Sequence, residues 1–378
     1  MNILIDENIP YGLEAFGLLG KVHSAHGRSI TAAMLREVDA LIVRSITKVN
    51  PALLDGTPVR FVGTCTIGED HIDKIYLAER DITFTSAPGC NANSVAEYII
   101  TALLYLAQKY GFDPASKRLG IVGVGNVGSK VYRKASALGL TCVLNDPPLA
   151  EKTGDPVYRP LEEIRECDII TFHTPLNKVG IHPTWHLADK AFLRSLRPGT
   201  LLFNTARGAV VDNAALEEAL RDGHLHAAVV DVWENEPTPR HGLLEMSDIA
   251  TPHIAGYSFD GKVNGTRQVY AALCEFMGKK PSWDPAPLLP PPGLPELTVA
   301  PDAPGVLATT VLRAYDLLGD DGRMRAITSL PADEQGAWFD RLRKEYPVRR
   351  EFFNTRIRLT RADERLARIL SGVGFALI

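Results

Sequence analysis

Short apolar runs rich in β-branched residues alternate, over the first hundred positions, with stretches whose apolar residues recur at helical spacing. MNILID, ALIVRS, VRFVGTCT and DITFTSAP read as strands, and Ile30–Glu37 and His71–Arg80 between them as helices. Alternation of this kind implies a parallel sheet with helices packed on it. Ser94 to Gly111 follows as a long helix, apolar almost all round and therefore buried, with Ser94 and Glu97 expected to form its capping box. A second series then begins. RLGIVGVG, LTCVLND, CDIITFHT, TLLFNTA, HAAVVDV and DIATPHI read as strands. Their apolar runs do not alternate with polar residues, as expected when both faces of a sheet are covered. Another helix is expected over Lys262–Met277.

Beyond it the pattern changes. Nine prolines fall among the 24 residues 281–304, which predicts an extended linker or a wrapped arm. Residues 305–378 then show a helical piece (Gly305–Leu318), an alternating piece (NTRIRLT) and a last helical piece (Ala362–Leu370). This block is small for an independent core, so part of its apolar surface is expected against another subunit.

A length of 378 residues implies two or three domains, and an apolar fraction of 45% can fill their cores. The formal charge of −4 argues against a general nucleic-acid footprint. No run of 18 apolar residues is present to span a membrane, and MNILIDENIP lacks the basic start of a signal peptide. Five cysteines with no C-x-x-C pair favour reduced thiols and a cytoplasmic location.

Chemistry enters at Gly123-Val-Gly125-Asn-Val-Gly128, which follows a strand and opens a helix. The first glycine permits a tight turn, the second a close approach of backbone to a pyrophosphate, the third close helix–strand packing. The helix N-terminus then offers N–H groups to phosphates. Asp146 closes the next strand, where a carboxylate accepts from a ribose 2′-hydroxyl and repels a 2′-phosphate. These features predict NAD as cofactor.

Downstream, NTARG brings Arg207, ENEP brings Glu236 and TPHIAGY brings His253, each after an apolar run. Taken singly, they read as a surface cation, a loop acid and a cap. At strand ends in a dinucleotide-binding fold they are the parts that oxidise a 2-hydroxy acid. His253 is the base by type, Glu236 the carboxylate that raises the basicity of its imidazole, and Arg207 a fixed fork for the substrate carboxylate.

VRSITKVN, GVGNVG, HTPL, NTARGAVVD, DVWENEP and TPHIAG occur in the order of the D-isomer-specific 2-hydroxyacid dehydrogenases, which the chain resembles over about residues 1–285. The resemblance implies an α/β fold of two Rossmann-like parallel-sheet domains plus a small α+β C-terminal dimerisation domain. Residues 1–95 and 256–286 would form a discontinuous substrate-binding domain around an inserted NAD-binding domain, 96–255. A linker, 287–304, would lead to the dimerisation domain, 305–378, and hence to a homodimer. It also implies Arg207, Glu236 and His253 as the catalytic set, and places Asn126, Val127, Asp146, Thr174, Ala206, Arg207, Asp231 and Gly256 on NAD, with Asp231 meeting the nicotinamide amide.

HPTWHLAD, Tyr257 after TPHIAG, and the basic block behind a proline-rich linker are similar to a family member whose substrate is phosphorylated. That match implies Ser45, Thr66 and Tyr257 as substrate contacts. Arg44 is a candidate phosphate partner by type, with a surface arginine as the equal alternative. Arg341 to Arg361 holds eight basic and two acidic residues, including Arg349 and Arg350, and part of it is expected to border the substrate mouth, of its own chain or of the partner subunit. A solvated charged face is the alternative. The remaining rivals are 3-phosphoglycerate as substrate and an NAD-sensing corepressor on the same scaffold. His182 and His186 are four apart but enclose Pro183 and lack a third ligand, so no metal site is expected.

Overall fold

The first sheet has five parallel strands, β1 (Asn2–Asp6), β2 (Lys21–Ala25), β3 (Ala40–Val43), β4 (Phe61–Thr64) and β5 (Thr83–Thr85), in the order β2-β1-β3-β4-β5. Ile3, Leu4 and Ile5 are consecutive and all buried, because helices cover both faces. The computed structural model describes residues 1–378 and divides into two compact units. This sheet belongs to the first, Met1–Asn91 with Ser258–Pro291. The helix Phe259–Phe276 joins it, capped by the Ser258 hydroxyl, which accepts from the Gly261 N–H. A Cβ on Gly63 would come within 2.4 Å of Val269, so glycine there lets this helix lie close on β4.

The second unit, Ala92–Tyr257 with Pro292–Ile378, holds a six-stranded parallel sheet. Its strands are β6 (Arg118–Val122), β7 (Thr141–Asn145), β8 (Ile169–Phe172), β9 (Thr200–Asn204), β10 (Leu225–Val230) and β11 (Ile249–Ala250), in the order β11-β10-β9-β8-β6-β7. The order reverses direction between β6 and β8, which opens the kind of crevice at strand C-termini where α/β folds bind ligands. A third, small sheet of β12 (Glu296–Val299), β13 (Arg356–Leu359) and β14 (Ala376–Leu377) is also parallel, with β13 central. The molecule is thus α/β, with a small C-terminal sheet and its helices.

Several elements differ from the expected ones. Ile30–Glu37 forms a 3-10 turn, Ala32–Leu35, in place of a helix. Only Ile30 and Leu35 bury there, too sparse a stripe to anchor a longer helix. Ser94 does not cap the long helix, which starts earlier and spans Ala92–Tyr110. Its hydroxyl instead donates to the Ala255 carbonyl at 2.9 Å. The proline-rich stretch contains β12, paired in register with β13 from Glu296↔Arg356 to Val299↔Leu359. The C-terminal block also has more helix than its pattern suggests: Val306–Ala314, Leu317–Arg325, Ala332–Lys344 and Glu364–Val373.

That block finds its core within its own chain. Leu297, Ile357 and Leu370 share one apolar cluster with Ile99, Leu103 and Val131. Its helix Glu364–Val373 lies on Asn126–Ala137, so closely that a Cβ on Gly372 would sit 2.4 Å from that of Ala137. Lys134, buried beneath the contact, donates to the Val373 carbonyl at 2.6 Å.

Candidate active site

The glycine turn follows β6. Gly123 has φ 87°, in the left-handed region, and a Cβ there would meet the His173 carbonyl carbon at 2.8 Å. Glycine therefore lets the ends of β6 and β8 close together at the reversal point. A Cβ on Gly128 would fall 2.0 Å from the Gly123 carbonyl oxygen, so the third glycine seats the helix Asn126–Ala137 on the turn. Gly125 differs, because a Cβ there would meet nothing within 4 Å. It precedes a helix N-terminus with no side-chain cap, leaving N–H donors and positive potential for an anion. Asp146 follows β7 and caps the helix Pro147–Thr153; its carboxylate accepts from the Val124 N–H at 2.8 Å and the Leu149 N–H at 3.0 Å, which ties the turn to the end of the next strand. Thr174 follows β8 and its Oγ1 is buried without a partner. An open cradle, an uncapped helix and an orphaned hydroxyl around one crevice fit a dinucleotide. His173 beside it keeps a role within the protein, with Nε2 3.0 Å from the Thr171 hydroxyl, and burial holds it far below the usual histidine range.

Arg207 and Glu236 lie on loops after β9 and β10. A Cβ on Gly208 would lie 2.0 Å from the Trp233 carbonyl, so glycine allows NTARG to lie against DVWENEP. Ala206 is buried, and its carbonyl accepts from Arg207 Nη1 at 2.8 Å. Glu236 Oε1 accepts from the Trp233 N–H at 2.9 Å, and Oε2 lies 2.8 Å from His253 Nδ1. Burial alone would push the Glu236 carboxyl up. The facing His253, the Trp233 N–H and the nearby Arg343 cation outweigh it and hold the group below its ordinary value. The carboxylate is then an acceptor only, so Nδ1 carries the hydrogen and Nε2 keeps the lone pair.

His253 has φ 58°, a conformation that costs a non-glycine residue about 1–2 kcal/mol. Asp231, just after β10, secures it. The Asp231 carbonyl accepts from the His253 N–H at 2.7 Å. Its carboxylate accepts from the Thr251 hydroxyl at 2.6 Å and from the Ile254 and Ala255 N–H groups at 2.8 and 3.0 Å. Asp231 thus shapes the histidine loop that leads to Gly256, a task its sequence position did not reveal.

Ser45, Thr66 and Arg44 belong to the first unit, just beyond β3 and β4. Ser45 is exposed, the Thr66 hydroxyl is 2.8 Å from that of Thr64, and Arg44 donates to the Asn8 carbonyl at 3.1 Å. Tyr257 belongs to the second unit, with its ring edge-on to Tyr346. Val127 is partly buried behind the glycine turn. Arg349 is not at a mouth. It is buried, paired with Glu97 at 3.3 Å and hydrogen-bonded to the Ser94 hydroxyl, because burial of so large a cation requires partners. Arg350 donates to Asn354 at 2.8 Å. His182 pairs with Glu151 at 2.9 Å and His186 with Glu234 at 2.7 Å, and no group of three residues is arranged to hold a metal.

Residues 105–255 match the model of the D-isomer specific 2-hydroxyacid dehydrogenase, NAD binding domain, and residues 288–374 match a Domain of unknown function (DUF3410). The chain is 48% identical to an erythronate-4-phosphate dehydrogenase of Edwardsiella ictaluri, over 99% of both chains. It is 46% identical to one of Cronobacter sakazakii, over 99% of this chain and 98% of that one. A D-lactate dehydrogenase of Aquifex aeolicus, solved with NAD and lactic acid, superposes with a TM-score of 0.61 at 26% identity. That match covers 73% of this chain and 96% of the other. The glycine turn, the Glu236–His253 pair and these relatives converge: the chain belongs to the erythronate-4-phosphate dehydrogenases of the D-isomer-specific 2-hydroxyacid dehydrogenase family.

Proposed function

We propose that the chain oxidises 4-phospho-D-erythronate at C2 to 3-hydroxy-2-oxo-4-phosphobutanoate, on the route to pyridoxal phosphate. It is an NAD-dependent 2-hydroxyacid dehydrogenase. The observation that carries the assignment of catalytic roles is the 2.8 Å contact between His253 Nδ1 and an ionised Glu236. It leaves His253 Nε2 to take the C2 hydroxyl proton, while Glu236 balances the imidazolium that forms. The planar fork of Arg207 suits the substrate carboxylate and the developing carbonyl oxygen. When bound, NAD supplies the hydride acceptor. Gly123, Gly125, Asn126, Val127 and Gly128 would hold its pyrophosphate, Asp146 its ribose, and Thr174, Ala206, Arg207, Asp231 and Gly256 would lie along the remainder. Ser45, Thr66, Tyr257 and Arg44 would contact substrate.

In this reading residues 1–95 and 256–286 bind substrate, 96–255 bind NAD, 287–304 link, and 305–378 pair two chains. No helix is long and apolar enough to cross a membrane, and the five cysteines are all free, which favours the cytoplasm. Steady-state turnover with 4-phosphoerythronate against 3-phosphoglycerate tests the function. A higher kcat/KM for 3-phosphoglycerate would overturn the substrate, and no NAD reduction with either would overturn the reaction.

A further inference from the structure

The segment that carries His253 is touched at several points by the C-terminal block of the same unit. Arg349, its Cζ 4.2 Å from the Tyr315 ring centroid, donates to the Ala255 carbonyl at 3.4 Å. Tyr346 meets Tyr257 edge-on, with centroids 5.7 Å apart and planes at 87°. Arg343, on the helix Ala332–Lys344, sets its guanidinium 5.8 Å from the Tyr257 ring centroid and 5.9 Å from that of Phe339. A cavity of about 390 Å³ between Pro252, Ile254, Trp338 and Tyr346 separates other parts of the two segments.

Arg349 is held by Glu97, Ser94 and Ala255. Arg343 is instead hydrogen-bonded to Tyr257 and faces the charges of Glu236 and Asp340. Its charge acts on both Tyr257 and Glu236, so it lies within Coulombic reach of the Glu236–His253 pair. A phosphorylated 2-hydroxy acid brings two anionic ends to that neighbourhood. Arg207 answers one, and the ionised Glu236 beside His253 adds negative charge that neither end of the substrate can use. Besides Arg44 of the first unit, Arg343 is a cation of the second unit placed to answer the other.

We propose that Arg343, held over Tyr257, is a specificity-determining residue that recognises the phosphate of the substrate, so that the C-terminal block completes the site of its own chain. The proposal rests on the reading of the substrate as a phosphorylated 2-hydroxy acid. Its test uses the full-length protein with 4-phosphoerythronate and unphosphorylated erythronate. R343M should lower the ratio of the two kcat/KM values by about 10–100-fold, the effect of one lost charged contact. R343K should recover part of it, since the charge remains but the planar fork does not. Inorganic phosphate should also inhibit R343M more weakly than the wild type. A ratio unchanged in R343M, whether both activities fall together or neither falls, would overturn the proposal. If R343M does not fold, an unchanged ratio in R343K does so. A wild-type chain that prefers erythronate would instead remove the phosphorylated substrate itself, and the proposal with it.

Discussion

His253 combines three constraints in one residue: a left-handed backbone, an N–H bonded to the Asp231 carbonyl, and a ring bonded to Glu236. Strain of this kind persists only where the surroundings over-determine it. A side chain so fixed should act on the chemical step, and H253A should lower kcat by about 10²–10⁴-fold with NAD affinity retained. Stopped-flow and NAD titration separate the two, and an intact kcat would remove the histidine from the reaction. Glu236 carries a pH signature as well. Its carboxyl is held below the ordinary value, so the unfolded chain takes up its proton first as pH falls. The stability it contributes is fully present above about pH 4.5 and is lost as pH falls through the lowered folded value. E236Q should therefore lose that part of the acid dependence, which urea titrations across pH 3–6 would reveal as a flatter stability curve.

The glycine turn gives different outcomes for neighbouring substitutions. G125A adds a methyl group to open space, but φ −70° with ψ −145° lies outside the α and β regions, so stability should fall modestly, by about 1 kcal/mol. The same methyl occupies the approach path of a pyrophosphate, and the Kd for NAD should rise at least about tenfold. G128A collides with the Gly123 carbonyl and G208A with that of Trp233, both at 2.0 Å from backbone that cannot step aside. Those two should destabilise by about 3 kcal/mol or more, the range of strong overpacking. A G208A variant with wild-type stability would show that the Arg207 and Glu236 loops do not need their close approach. The edge strand β2 shows what such local arguments miss. KVHSA is exposed along most of its length and lacks an apolar run, yet it pairs with β1 from Asn2↔Lys21 to Asp6↔Ala25. Its backbone bonds hold it, and backbone pairing leaves little trace in side-chain pattern.

At the scale of the whole molecule, the strands of the two larger sheets were legible wherever both faces are buried, because unbroken apolar runs such as LLF and AVV admit few other structures. The Arg207, Glu236 and His253 motifs were legible because each follows such a run. Arg343 was not, since one arginine among eight basic residues carries no mark of the ring it packs over. The tail's partner was equally hidden: its apolar residues showed a need for cover without saying what covers them. With two compact units, calorimetry should give at most two transitions, the C-terminal block melting with the dinucleotide-binding sheet and NAD raising that transition alone. A separate low-temperature transition for residues 292–378 would contradict this.

The seating of Gly372 on Ala137, with Lys134 buried beneath, has a consequence for heredity. In this chain Gly372 cannot drift to a larger residue without prising two helices apart, and Ala137 is bound by the same limit. Deleting the tail therefore leaves a sticky scar on the NAD-binding fold. A lineage that acquired the block could not discard it in one step, and would first have to repaint the helix beneath it.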